Sequence, residues 1–423
     1  MPCSGNGEGV LPPSRSWVRE ESMESPLSHV FSGGAGPFVL IDDARPGGSA
    51  ALYRAPAGMI RADRLDEVEP ALDALRAARG RGLHAVGYLA YEAGFALEPR
   101  LRGLDPGHAP GDPPLLWFGL FAQKEPVAPG AFDGAGEGGA EAEPAIGRSA
   151  YMEGFAAVRR AILAGDIYQA NLTFPCSVDV GADPAAFYRA VRPRAAAGHG
   201  ALLFTGAHWL LSFSPELFFT LEGDVLTTRP MKGTARRRAD AAQDAAAARE
   251  LAADPKQRAE NLMIVDLLRN DLARIAEPGS VAVPDLFAVE RYPTVHQMVS
   301  TVTARLAAGR DAVDALRALF PCGSITGAPK IRAMELLHRL EARARGPYTG
   351  AVGVLEADGN AAFNVAIRTL CVREGDTRGT IGLGAGLVVD SVAANEWDEC
   401  LDKGRFLAGG ATDGSAGGGD ERR

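Results

Sequence analysis

The stretch TRPMKGTARR, residues 228–237, sets one lysine, Lys232, between Met231 and Gly233 and ahead of an arginine run at 236–238. A lysine amine is a nucleophile only when it is neutral, and apolar surroundings or nearby cations favour that state. Taken alone, the same residue reads equally as an anion clamp or a solvated cation. Glu216 lies in FSPELF beside Leu217, Phe218 and Phe219. A carboxyl among such residues holds its proton to higher pH and suits a general acid; at a strand end facing water it would do neither. Glu396, Glu399 and Lys403 follow one another at i, i+3 and i+7, and at about 100° per residue they share roughly a 60° arc of a helix. Glu260 lies early in another helix, opened by Asp254 as N-cap and Pro255 in its first turn. Carboxylates on two helices fit a hard cation such as Mg²⁺ bound through oxygen; they fit a solvated face with a Glu399–Lys403 ion pair as well.

Two further features concern anions. GSITGAPK, residues 323–330, puts small residues ahead of a helix, where backbone N–H groups face an anion. The order GxxxxGK[ST] is missing, so the segment is not an ATP-binding P-loop. Arg368, in NVAIRTL, is expected in a strand and half-buried, inviting a carboxylate from the protein or a ligand.

The elements that must hold these residues read as α+β. Apolar runs such as GALLFTG, HWLLSFSP, ELFFTLEG, YTGAVGVLEA, AAFNVAIRTLCV and TIGLGAGLVV come in neighbouring pairs, the pattern of antiparallel hairpins. Helical periodicity marks RLDEVEPALDALRAARG, YMEGFAAVRRAILAG, PKQRAENLMIVDLLRNDLARI, IRAMELLHRLEAR and NEWDECLDKGRFL. Hairpins mixed with helices argue for helices packed on extensive antiparallel sheet. Residues 1–34 are expected to be disordered, 36–122 to form an N-terminal subdomain, 124–147 a flexible linker or long loop, 149–407 the larger domain, and 408–423 a disordered tail.

The 423 residues are 46% apolar and 23% charged, enough for a large core. A net charge of −9 argues against nonspecific nucleic-acid binding. The five cysteines, Cys3, Cys176, Cys322, Cys371 and Cys400, are scattered without CxxC spacing, which fits a reducing compartment better than a disulfide or zinc framework. With neither a membrane-length apolar stretch nor the order of a signal peptide at the N-terminus, a soluble cytoplasmic protein is expected.

In order, GDIYQANLT, FSPELFF, TRPMKGTARR, AENLMIVDLLRND, VHQMVSTV, PCGSITGAPKIRAMELL, RGPYTGAVG, FNVAIRTL and GAGLVVDSVAANEWDECLDK span Gly165 to Lys403. This succession resembles the chorismate-utilising enzymes, and GYLAYEAGFALEP is similar to the first domain of their aminodeoxychorismate synthase branch. The resemblance implies two large antiparallel sheets packed across each other with helices outside, and a Mg²⁺-dependent reaction on chorismate. Carried over position by position, it implies Glu260 and Glu399 as metal ligands, with Glu396 binding directly or at one remove. It implies Arg368, Tyr348 and the backbone near Gly386 as the hold on the enolpyruvyl carboxylate, with Lys403 adding positive charge. Gln169, Thr234, Ser324, Thr326 and Gly384 are expected around the substrate on the same ground.

Two positions discriminate among reactions. Isochorismate and salicylate synthases resemble one another in having a water-activating lysine where this chain has Gln169. Anthranilate synthases usually have alanine where it has Lys232, and aminodeoxychorismate synthases have lysine in a motif like PMKGT. The reaction so implied is attack by Lys232 with Glu216 as acid, followed by ammonia, giving 4-amino-4-deoxychorismate for 4-aminobenzoate and folate synthesis. No cysteine has a GxCxG context, so the resemblance implies a separate glutamine amidotransferase partner, and a downstream lyase to release pyruvate. The alternatives are an anthranilate synthase component and a non-catalytic chorismate-binding or amidotransferase-scaffolding protein. The chain departs from many relatives at Gln297, where they have histidine, and at LIDD, residues 40–43, where tryptophan-regulated relatives read LLES. The 236–238 arginines are expected at the surface.

Overall fold

A computed structural model describes residues 36–104, 109–132, 138–292 and 295–409; the disorder expected of 1–34 and of the tail past 409 lies outside the described residues. Two antiparallel sheets, each of ten strands among these residues, carry the fold. The first runs in the order 327–328, 169–179, 378–387, 369–373, 208–214, 199–204, 38–42, 50–54 and 125–127, with 143–144 added beside 169–179. The second runs 231–236, 295–305, 225–228, 217–222, 361–365, 351–355, 84–89, 116–121 and 58–62, with 282–291 added beside 295–305.

Period-two alternation builds the layers. In the strand Phe38–Asp42, Val39 points between the sheets, where it meets Tyr53, Val86, Trp117, Leu203 and Val352 from both. Phe38 and Leu40 point the other way, into a core shared with the helices Arg148–Leu163, Pro184–Ala195, Lys330–Glu341 and Ala393–Asp402. The helices Leu65–Gly80, Pro255–Ala273 and Ala312–Leu319 cover the outer face of the second sheet. The result is the helix–sheet–sheet–helix arrangement expected from the sequence. Strands covered on both faces are apolar throughout, as in Leu116–Phe121, LWFGLF, where every residue is buried.

Two features differ from the sequence reading. The segment 36–122 gives strands to both sheets, 38–42 pairing with 199–204 and 84–89 with 351–355. The segment 124–147 therefore joins parts of one architecture, and its Glu125–Val127 pairs with Ala50–Leu52. Secondly, the chain switches sheets where the sequence reading has a hairpin or a single strand. The neighbouring runs HWLLSFSP and ELFFTLEG do not pair with each other: the chain leaves the first sheet after Ser214 and enters the second at Leu217, and AAFNVAIRTLCV, read as one strand, returns from Val365 to Thr369. The two crossovers lie side by side: Val365 N–H donates to Glu216 O (3.1 Å), Phe213 N–H to Arg368 O (3.0 Å), and Ser214 Oγ to Val365 O (2.6 Å).

In LIDD, Asp42 is buried and accepts from Arg192 (2.7 and 2.8 Å) and Tyr188 Oη (2.8 Å), tying the helix Pro184–Ala195 to the first strand. Cys176, Cys322, Cys371 and Cys400 are free thiols. Among the described residues no helix is long and apolar enough to cross a membrane.

Candidate active site

The crossover leaving Ser214 places Glu216 at the junction of the sheets, 6% exposed. Its Oε1 accepts from the hydroxyl of Ser324 (2.8 Å), itself buried in the short helix Gly323–Thr326. The carbonyl of the same serine accepts from Lys232 Nζ (3.4 Å). One residue thus touches both the amine and the carboxyl. Burial pushes the Glu216 carboxyl above its ordinary range, against the pull of the Ser324 hydrogen bond and of Lys232. Burial likewise pulls the Lys232 amine below its ordinary value; Glu216 opposes this and Lys403 adds to it.

Local backbone explains why Lys232 points here. In the ladder between Met231–Arg236 and Val295–Arg305, Met231 pairs with Val299 but Thr234 with Gln297, so the lysine's strand carries one extra residue. Such a bulge turns side chains out of the alternating pattern. Gly233 makes it possible: its φ is +91°, and a Cβ there would lie 2.9 Å from Gln257 Oε1.

Gln169, 1% exposed, opens the strand Gln169–Asp179, and its Oε1 has no hydrogen-bond partner. Gly386 pairs with Asn171 in that strand's ladder, and a Cβ at Gly386 would lie 2.7 Å from Gln169 Nε2 and 3.3 Å from Lys232 Nζ. The amine, the orphaned amide and the bare glycine therefore line one small space. Lys403, just past the helix Ala393–Asp402, donates to Gly384 O (2.9 Å) and pairs with Glu399 (2.8 Å). The surface-type ion pair that spacing allowed is thus present, and the hydrogen bond to Gly384 leans it toward the site.

Glu260, Glu396 and Glu399 lie close enough to act on one another. Burial raises the pKa of Glu260 and of Glu396, and the neighbouring glutamates add to it; burial also acts upward on Glu399, but Lys403, Lys232 and Lys256 together outweigh it and hold that carboxyl low. Among the described residues no three His, Cys, Asp or Glu side chains stand close enough for a ready-made metal cage. The donors nonetheless fit a hard divalent cation in kind, being all carboxylate oxygens.

Arg368 is not in a strand. It sits on the returning crossover at φ +50°, half-buried, with its guanidinium 5.5 Å from the Phe406 ring centroid. Burial draws its pKa down, and among the described residues no carboxylate pairs with it. The ring of Tyr348, 8% exposed, lies over Gly382 of the strand Arg378–Leu387. Thr326 is fully buried but spends its hydroxyl on the carbonyls of Cys322 and Gly323 (both 3.2 Å), and Thr234 is exposed on the strand of Lys232.

The arginine run divides. Arg236 and Arg238 are exposed, whereas Arg237 chelates the buried Asp244 (2.9 and 3.1 Å). Asp244 also accepts from Arg238 N–H (2.9 Å) and pairs with His296 Nε2 (2.8 Å). The expectation of a purely solvated run fails at Arg237 because a helix-borne carboxylate captures it. Sequence reasoning missed Asp244, and it missed Lys256, whose charge acts on Glu260, Glu396 and Glu399. The i, i+4 spacing of Lys256 and Glu260 was the available signal.

Residues 132–409 match the family described as chorismate binding enzyme. The chain is 45% identical over 258 residues to aminodeoxychorismate synthase component 1 of Klebsiella aerogenes, covering 61% of this chain and 57% of that one. It is equally 45% identical over 260 residues to anthranilate synthase component 1 of Streptomyces coelicolor, covering 61% and 50%. It thus spans little more than half the length of these curated relatives. Among solved structures, anthranilate synthase component I of Streptococcus pneumoniae superposes with a TM-score of 0.72 at 25% identity, covering 96% of this chain and 95% of that one.

Proposed function

The chain belongs to the family of chorismate binding enzymes, and from that premise we propose that it exchanges the ring hydroxyl of chorismate for ammonia, giving 4-amino-4-deoxychorismate. Relatives with two different activities stand at the same identity, so overall similarity does not choose between them. The residue at 232 does. Its amine and the Glu216 carboxyl meet across Ser324 (3.4 and 2.8 Å), and this single arrangement carries the reading.

Shifts toward a neutral amine and a protonated carboxyl suit the two for paired work. Lys232 attacks C2 of the ring; both ring double bonds shift round through C1, C6 and C5, the C4–O bond breaks, and the proton of Glu216 leaves with the hydroxyl as water. Ammonia then adds at C4, both double bonds shift back, and the C2–N bond breaks to free Lys232. The Glu216 carboxylate recovers the proton that the added ammonia sheds. Gln169, an amide, has no basicity with which to activate water at C2. Arg368, which no carboxylate among the described residues pairs with, would hold one from the substrate, together with Tyr348 and the backbone at Gly386.

Glu260, Glu396 and Glu399 would hold Mg²⁺, which supplies positive charge to offset the ring carboxylate against these glutamates. Ammonia would come from a glutamine amidotransferase partner, and a separate lyase would convert the product to 4-aminobenzoate for folate synthesis. Replacing Lys232 by alanine tests the reading. Turnover should be lost while chorismate binding by calorimetry survives, and full activity in that variant would remove the covalent route.

A further inference from the structure

Among the described residues the strand Met231–Arg236 has one ladder partner, Val295–Arg305, and that ladder is interrupted at Lys232 and Gly233. At the bulge Lys232 and Gly233 together stand opposite Met298, so regular backbone pairing cannot fix both. Gln297 fills the gap: its Nε2 donates to Gly233 O (2.8 Å), with a second, longer contact to Met298 O (3.3 Å). A side-chain amide thus bonds the carbonyl of the residue that follows Lys232. Beyond the bulge the strand is held independently by Asp244, through Arg237, Arg238 N–H and His296. Before it, Ser300 N–H donates to Pro230 O (3.2 Å). Between these two anchors the Gln297 bond holds the Gly233–Thr234 peptide, on the far side of Gly233 from Lys232.

We propose that Gln297 is a positioning residue for Lys232, its amide locking the bulge that delivers the amine to Ser324 and the space beside Gly386. Gln297 acts through Gly233, at a distance from the amine itself. This inference rests on the reading of Lys232 as the reacting amine for its effect on turnover, but the placement of the amine is measurable without it.

The experiment compares wild type with Gln297→Leu, which removes the donor at similar size, and Gln297→Glu, whose carboxylate faces the Gly233 carbonyl with no proton to give. Turnover of chorismate with ammonium and Mg²⁺ gives kcat and KM, and acetic anhydride labelling, quantified on the Lys232 peptide by mass spectrometry, gives the accessibility of the amine. Both variants should lose about tenfold in kcat, corresponding to about 1.4 kcal/mol, with KM for chorismate changed less than about twofold, the pattern of transition-state rather than uniform binding loss. Labelling of Lys232 should rise at least about threefold relative to lysines elsewhere, since an amine freed from a buried site meets more solvent. Unchanged labelling in both variants overturns the proposal, whatever happens to turnover. Raised labelling in soluble, cooperatively melting variants supports it, and does so even where the product proves to be other than proposed. If Gln297→Leu does not fold, Gln297→Glu alone decides.

Discussion

Glu216→Gln separates a catalytic carboxyl from a structural one. The wild-type Oε1 accepts the Ser324 hydroxyl at 2.8 Å, and the amide oxygen of glutamine takes the same bond, so about 0.5–1.5 kcal/mol of hydrogen bonding stays in place. The electrostatic effect has the opposite sign from the usual carboxylate. The folded pKa of Glu216 lies above the ordinary 4.5, so ionising it in the folded chain costs free energy that the unfolded chain does not spend. That penalty is absent in acid and grows as pH rises through the ordinary value toward the folded one. A neutral amide carries none of it. The variant should therefore melt at or above the wild-type temperature at pH 7, and no differently near pH 3. Catalysis should respond otherwise, because an amide has no proton to deliver to the departing hydroxyl: a loss of about 10²- to 10⁴-fold is expected for a general acid, or about 2.7–5.5 kcal/mol in barrier height. Thermal melts at the two pH values and turnover by mass spectrometry make the assay. A variant that melts lower at pH 7 yet turns over at the wild-type rate would refute the reasoning on both counts.

Three further outcomes are expected. Gly386→Ala places a methyl 2.7 Å from the buried Gln169 amide and 3.3 Å from Lys232 Nζ; urea unfolding should show a loss of about 1–3 kcal/mol, and chorismate affinity should fall, whereas wild-type affinity would take Gly386 out of the site. Glu399→Gln should raise the Mg²⁺ concentration for half-maximal activity at least about tenfold, as loss of a charged oxygen donor implies; an unchanged titration removes it from the ligand set. Asp244, whose pKa is held low by Arg237, the Arg238 N–H and His296, contributes stability above the ordinary aspartate value that is lost as pH falls through its folded value. The melting-temperature gap between wild type and Asp244→Asn should therefore be widest near neutrality and close in acid, and a gap that widens in acid would contradict the assignment.

Much of this site was legible because its residues sit in short segments whose spacing survives folding. The Glu396–Glu399–Lys403 stripe lies on and at the end of one helix, and Glu260 on a helix whose start Asp254 announces by accepting from Lys256 and Gln257 N–H. What escaped was set by distant pairing. Nothing local in PFVLI says that it will lie against residues 199–204, so a shared architecture looked like two segments. A β-like run continues in sequence when the chain changes sheets, which is why Arg368 read as a strand residue although its φ is positive. The bulge at Lys232 arises from the register against 295–305, and the capture of Arg237 by Asp244 from a helix seven residues on. Neither leaves a periodic trace.

The central claim is that the amine of Lys232, and not water, opens the reaction on the ring, and that nitrogen ends at C4 with the enolpyruvyl group retained. Incubating the chain with chorismate, Mg²⁺ and ammonium, with no lyase present, and identifying the product by mass spectrometry tests this most directly. The account predicts 4-amino-4-deoxychorismate, abolished in Lys232→Ala. Fluorescent anthranilate with released pyruvate, or isochorismate, would contradict it.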